Sequence, residues 1–231
     1  MIRAALIGLG ALAALGSGAQ ALAQSLASLS NRDAVAGLKD ALAQSAGKAM
    51  DQLGAADGFL GNAKVKIPLP DSIKRIESGL RMLGMGKQAD ELVVSMNRAA
   101  EMAVREATPI LVESVRKMSV QDAKGVLTGG DDAATQYFRR TTSAQLTQRF
   151  LPIVKQMTAK VQLAEQYNQL AGQAASLGLV KQEDANIDNY VTRKALDGLF
   201  LVIAEQERAI RKDPVGAATG MAQKVFGLLG K

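Results

Sequence analysis

From Asp90 to Met118 the chain reads DELVVSMNRAAEMAVREATPILVESVRKM. Leu92, Met96, Ala99, Ala100, Ala103, Ala107, Ile110, Leu111, Ser114, Val115 and Met118 recur there every three or four positions. At about 100° per residue this spacing gathers them on one side of a helix. The other side carries charges of both signs, with Glu101–Arg105 and Glu113–Lys117 four apart and acid first, the order that suits a solvated face. So long a stripe has to be covered along its length, which predicts a core helix with other helices packed around it. Pro109 disturbs it. Its missing N–H and its ring should kink or split the helix near Thr108. Asp90, Asn97, Glu101 and Thr108 form a row along one border of the stripe, expected to face a neighbouring helix in a half-exposed state. Asn97 and Glu101 are the row's candidates for contact with a ligand or another chain.

The 231 residues are 48% hydrophobic but only 3% aromatic, and Trp is absent, so the core has to be filled by aliphatic side chains, Met and closely approaching Ala. That favours an all-α single domain of about six to eight packed helices. Neither Cys nor His occurs. Their absence removes thiolate and imidazole metal sites, Cys nucleophiles, His-based triads and the c-type haem attachment motif, and no metal or cofactor is expected. The net charge of +6 permits an anionic lipid surface as partner. Acids and bases are interleaved, and few aromatics are available to stack on bases, which argues against nucleic acid.

Residues 1–23, MIRAALIGLGALAALGSGAQALA, combine an early cation, an apolar run from Ala4 to Leu15, a Gly-Ser break and small residues. Ala21 and Ala23 fit the last positions of an A-x-A cleavage site, and Ala19 and Ala21 offer a second cut two residues earlier. The run is shorter than the ~20 residues a spanning helix needs. A cleavable signal peptide over 1–23 is expected, leaving 24–231 as one helical domain and, in a Gram-negative cell, placing it in the periplasm.

Further along, SNRDAVAGLKDALAQSAGKAMDQL predicts an amphipathic helix capped by Ser30 or Asn31. GAADGFLGNAKVKIPLPDS follows as an irregular crossover, its KVKIPLP portion extended against a helix and kept irregular by Pro68 and Pro70. Asp71 or Ser72 is expected to cap a helix with Ile73, Ile76, Leu80 and Leu83 on one side. Ser119-Val-Gln-Asp122 is a capping-box variant opening a short helix that closes at Gly129-Gly130, with glycine in the left-handed position beyond the helix end. Asp131 and Asp132 then place anionic residues at the start of the next helix, AATQYFRRTT. Capping accounts for that pair better than calcium, because the alternating acid ligands of a calcium loop are missing. Thr142 or Ser143 is expected to begin a longer helix running to Leu177-Gly178 and packed antiparallel on the central one. A buried helix around Tyr190–Ile210 comes next, and Asp213-Pro214 opens an amphipathic C-terminal helix over 214–231 whose Val225, Phe226, Leu228 and Leu229 have to be covered.

No motif fixes an activity. Ser45–Lys48 and Ser114–Lys117 match S-x-x-K, and Ser95-Met96-Asn97 matches S-x-N, but there is no K-T-G and no sheet to carry one. Gly86-Lys87 lacks both the earlier glycine and the following Ser or Thr of a phosphate loop.

GLKDAL, the DGF…KIPLP crossover, SMNRAAEMA, MSVQDAKGVLTGGDDAATQYF and IRKDPVGAATGMAQKVFG together resemble the family of exported bacterial proteins filed as domain of unknown function 4197. The resemblance covers nearly all of residues 24–231. It implies a helical exported protein, and it supplies no catalytic residue. Some members are lipoproteins, from which this chain departs by lacking Cys.

Three functions fit these residues. The first is a periplasmic binding or interaction protein for an apolar ligand or an envelope protein, with Asn97, Glu101, Asp122, Asp131, Asp132, Tyr137 and Phe226 as candidate contacts. The second is an envelope hydrolase using the carboxylates of Glu101, Asp122, Asp131 and Asp132. The third is a peripheral protein that engages anionic lipid through its C-terminal helix.

Overall fold

The computed structural model describes residues 31–213 except Ile76, Leu83, Met85, 179–180 and 182–183. Among the described residues there are nine helices and no strand. In chain order they are α1 (Asn31–Gly54), α2 (Asp71–Lys74), α3 (Glu77–Met82), α4 (Gly86–Arg105), α5 (Thr108–Lys117), α6 (Val120–Thr128), α7 (Ala133–Thr158), α8 (Gln162–Ser176) and α9 (Ile187–Lys212). The segment expected as a signal peptide and the C-terminal helix with Phe226 lie outside the described residues, as does Ser30. Among the described residues no helix is long and apolar enough to cross a membrane.

The stripe of the central segment is buried as its spacing predicts, from Leu92, Met96 and Ala100 through Val104 to Leu111 and Val115. Pro109 splits it. α4 stops at Arg105, Glu106 and Ala107 form tight turns onto the carbonyls of Ala103 and Val104, and α5 restarts with Pro109 in its first turn, where no N–H is needed. Around α4 and α5 pack α1, α7 and α9, sharing one continuous apolar core. Ser95 bonds the Met157 carbonyl, Arg149 pairs with Glu106, and Tyr137 bonds the Ser114 carbonyl. Numbers rise along α4–α5 as they fall along α7, so the two are antiparallel.

Several local expectations are corrected. The segment after Asp71 is divided between α2 and α3, and α2 is preceded by Pro70 with no side-chain cap, so neither Asp71 nor Ser72 acts as one. No new helix begins at Thr142 or Ser143. Their hydroxyls bond the carbonyls of Phe138 and Arg139 one turn back, and α7 runs through them without a break. α7 then ends at Thr158, and Val161, in extended conformation, precedes a separate α8. Gly129 is not left-handed, since its φ is −82°. A side chain there would bring Cβ to 2.6 Å from Ala133 Cβ, so glycine serves close approach rather than a turn.

Residues 55–70 form the expected irregular crossover, laid over α4 and α9 with Phe59, Val65, Ile67 and Leu69 pointing into the core. Where it crosses α9, Gly198 leaves room for it. A Cβ at 198 would stand 2.7 Å from the Phe59 ring.

Candidate functional site

Of the polar row, Asn97 and Glu101 meet the crossover rather than a helix, whereas Asp90 pairs with Arg81 of α3 and Thr108 donates to the Met50 sulfur of α1. Asn97 is fully buried, not half-exposed, and grips one residue twice. Its Oδ1 accepts from the Ile67 N–H at 2.8 Å, and its Nδ2 donates to the Ile67 carbonyl at 2.9 Å and to the Val93 carbonyl at 2.8 Å. An amide side chain thus supplies the pairing that a neighbouring strand would give, which a buried extended segment requires. One turn on, Glu101 is also buried. Its Oε1 accepts from the Phe59 and Leu60 amides at 3.1 and 3.2 Å, and its Oε2 pairs with Arg98 at 2.7 Å. Arg98 continues to Asp57 at 2.8 Å, and its guanidinium is held above its ordinary pKa chiefly by the bond to Glu101. Asp57 is left-handed at φ 64°, a conformation that this ion pair helps to hold.

Other groups fix the ends of the crossover. Arg105 donates to the Gly54 carbonyl at 2.7 Å, Tyr190 donates to the Pro68 carbonyl at 3.1 Å, and Lys64 pairs with Glu205 at 2.7 Å. Burial pushes the Tyr190 phenol up to about 12.

So anchored, the crossover turns Leu60, Lys66, Pro68 and Leu69 towards Val93 and Val94 of α4 and towards Lys74, Glu77 and Arg81, forming a cleft of 420 Å³. Val94 in it is 44% exposed. Arg81 is bridged by Glu77 and Asp90, each at 2.8 Å, and in turn holds the Asp90 carboxyl below the usual carboxylate range. Among the described residues this leaves Lys66 and Lys74 as the cations the cleft can offer. It has an apolar floor and two lysines at its rim, the distribution of a site for a molecule with an apolar body and an acidic end.

The remaining candidates stand elsewhere. Asp122 closes the capping box with Ser119, accepting from its amide at 3.3 Å while the Ser119 hydroxyl accepts from the Asp122 amide at 3.0 Å. The Ser119 hydroxyl, also bonded to the carboxylate, is the main cause that lowers the Asp122 pKa. Asp132 precedes α7 but makes no side-chain cap bond, accepting from Gln136 at 3.0 Å instead, and Asp131 is exposed. Tyr137 is buried and donates to the Ser114 carbonyl at 2.8 Å.

The start of α7 is capped from outside, by a residue that sequence reasoning passed over. Glu207 of α9 is buried and accepts from the Ala134 amide at 2.9 Å, the Thr135 amide at 2.9 Å and the Thr135 hydroxyl at 2.8 Å. Arg211, one turn on, bonds both Glu207 and the Val126 carbonyl at 2.8 Å. The only trace of this in the sequence is an acid four residues before a base, a pattern that usually marks a solvated face. Asp188, taking the Thr158 hydroxyl at 2.5 Å, was passed over as well. Among the described residues no group of three or more acids stands where it could share a metal ion.

Neither the curated proteins nor the solved structures give a match to the chain. A family described as "Protein of unknown function (DUF4197)" matches residues 28–227, spanning α1, the crossover with its anchors and all the later helices. The chain, with its crossover pinned by Asn97 and Glu101, therefore belongs to the DUF4197 family.

Proposed function

We propose that this is a periplasmic binding protein whose crossover cleft takes an amphipathic ligand, an apolar chain ending in an acidic group. The observation that carries this reading is the division of labour around α4. Its buried Asn97 and Glu101 satisfy backbone groups of the crossover, so the cleft wall of Leu60, Pro68 and Leu69 is built before any ligand arrives. Lys66 and Lys74 at the rim supply charge for the acidic end, and Val93 and Val94 line the apolar part. Export rests on the pattern of residues 1–23.

The carboxylates considered for hydrolysis give that reading no support. Glu101 is engaged by two amides and Arg98, Asp122 by its capping box and Arg140, and Asp132 by Gln136. These three are occupied in holding the fold together, and the fourth, Asp131, is exposed.

The test is native mass spectrometry of the protein purified from its own envelope, followed by displacement of a fluorescent long-chain fatty acid. A copurified amphipathic acid is expected, with fatty-acid binding weakened at least tenfold by the double change Lys66→Glu, Lys74→Glu. A bare protein that also fails to bind the fluorescent acid would overturn the reading, and a copurified polypeptide would replace it with an envelope partner.

A further inference from the structure

A second groove, of 470 Å³, lies between α7 and α9, lined by Arg139, Ser143 and Thr147 from the first helix and by Asn189, Thr192, Arg193 and Asp197 from the second, over Leu196 and Phe200. Its polar atoms are arranged differently from those of the crossover. On the α7 wall the hydroxyls already donate to backbone carbonyls. Ser143 donates to the Arg139 carbonyl at 2.5 Å and Thr147 to the Ser143 carbonyl at 2.8 Å, the usual resting place for a hydroxyl in a helix. On the α9 wall Thr192 departs from that habit. It is buried, and its hydroxyl has no partner. The adjoining Arg193 uses an outer nitrogen for Asp184, while its Nε–H is buried with no acceptor. Buried donors without partners are rare in folded chains, and these two belong to neighbouring residues that both line the groove.

Asn189, Thr192 and Arg193 stand at i, i+3 and i+4 and so share one face of α9. The guanidiniums are held in place by aromatic rings, Arg139 at 4.7 Å over Phe200 and Arg193 at 5.6 Å over Tyr190. Arg139 has only a loose ion pair, 3.6 Å to Asp197. Each guanidinium therefore has a carboxylate partner, Asp184 for Arg193 and Asp197 for Arg139, yet Arg193 keeps its Nε–H unused. We propose that this groove is a binding site for an oxyanion, a phosphoryl or carboxylate group received by Arg193 Nε, the Thr192 hydroxyl and the Asn189 amide, with Arg139 facing it from α7. Guanidinium N–H groups and a hydroxyl are the donors such groups take best, and the site is separate from the amphipathic cleft.

The test follows the side-chain Nε–Hε signals of arginine by NMR as inorganic phosphate, and in a parallel series acetate, is added to the purified full chain at constant ionic strength with chloride. The Arg193 signal is expected to shift and saturate, with Thr192→Val and Asn189→Ala each weakening the effect about tenfold. Saturation by phosphate alone assigns a phosphoryl ligand, and by acetate alone a carboxylate. Saturation by neither, or an equal drift of all arginines, overturns the site. Thr192→Val carries a second readout that does not depend on a ligand. A hydroxyl without an internal partner is lost without harm, so the melting temperature in chloride should hold or rise. A fall of several degrees would show that the hydroxyl serves the fold, and would overturn the proposal.

Discussion

Two buried glutamates, Glu101 and Glu207, do nearly the same thing in two parts of the molecule. They are 3% and 4% exposed, each accepts two consecutive backbone amides from a distant segment, and each has an arginine about one turn away that adds a further tie, Arg211 to α6 and Arg98 to a second point of the crossover. They differ in what they hold. Glu207 takes the first amides of a regular helix, where the helix dipole adds to the attraction, and its Arg211 is only 13% exposed. Glu101 takes amides of an irregular turn, and its Arg98 is 35% exposed and leads outward to Asp57. The same device therefore locks two helices together in one place and shapes a cleft wall in the other. A buried carboxylate is tolerable only while all its partners stay, and the region with more water access has more ways to adjust when one is lost.

The largest effect is accordingly expected at Glu207. Glu207→Ala strands two amides, the Thr135 hydroxyl and the Arg211 guanidinium in a dry setting. A loss of about 3–5 kcal/mol in urea unfolding is expected. If Glu207→Ala proves no costlier than Glu101→Ala, the contrast between the two regions fails.

Glu101→Ala is expected to cost less, about 2–3 kcal/mol, because Arg98 can turn to water while the Phe59 amide stays buried and unpaired. Its second signature is local. Hydrogen exchange at Phe59 and Leu60 should quicken by more than the global loss explains, while amides in the middle of α9 follow the global value. Uniform quickening would mean that the crossover is as integral to the core as α7. On the proposed function, the fluorescent fatty acid should also bind more weakly to this variant, since the cleft wall is no longer held.

These two regions also show what was legible in the sequence. The split at Pro109, the capping box of Ser119 and Asp122, and the stripe from Leu92 to Val115 have their causes within a few residues, and all three were readable. Asn97 and Glu101 were visible as polar residues bordering that stripe. Their task was not, because it depends on a segment 30 to 42 residues earlier in the chain coming to lie on them. Glu207 sits in EQERAIRKD, where an acid four before an arginine looks like a surface pair, and its real partners are 72 and 73 residues away. Thr142 and Ser143 misled because a hydroxyl serves equally as a cap or as a donor to its own helix, and only the surrounding packing decides. The groove between α7 and α9 was invisible, since Arg139 and Arg193 meet only through folding.

Tyr190 tests the crossover from its other side. Tyr190→Phe removes the bond to the Pro68 carbonyl and should cost about 1 kcal/mol at neutral pH. The phenol is raised to about 12, chiefly by burial, above the unfolded value near 10. The neutral form favoured by the fold therefore contributes its full stability below about pH 10, and that contribution is lost as pH rises from there through the folded value. Wild type should lose stability over this range relative to Tyr190→Phe. Parallel alkaline curves would show that the phenol is more open to water than its place under the crossover suggests.

Asp122 supplies the smallest effect and the control for both glutamates, since it also accepts a backbone amide but does so locally and partly in water. Asp122→Asn keeps the shape of the capping box and removes its charge, so a cost of about 0.5 kcal/mol is expected at neutral pH. The folded carboxyl is held below its ordinary pKa, first by the Ser119 hydroxyl. Its stabilisation is thus present above the unfolded value of about 3.9 and is lost as pH falls through the lower, folded one. In strong acid the wild type and Asp122→Asn should converge. A local cap can vary in this graded way because its partners have water to fall back on. If Asp122→Asn instead cost as much as Glu101→Ala, neither distance along the chain nor burial would be what separates a minor carboxylate from a structural one.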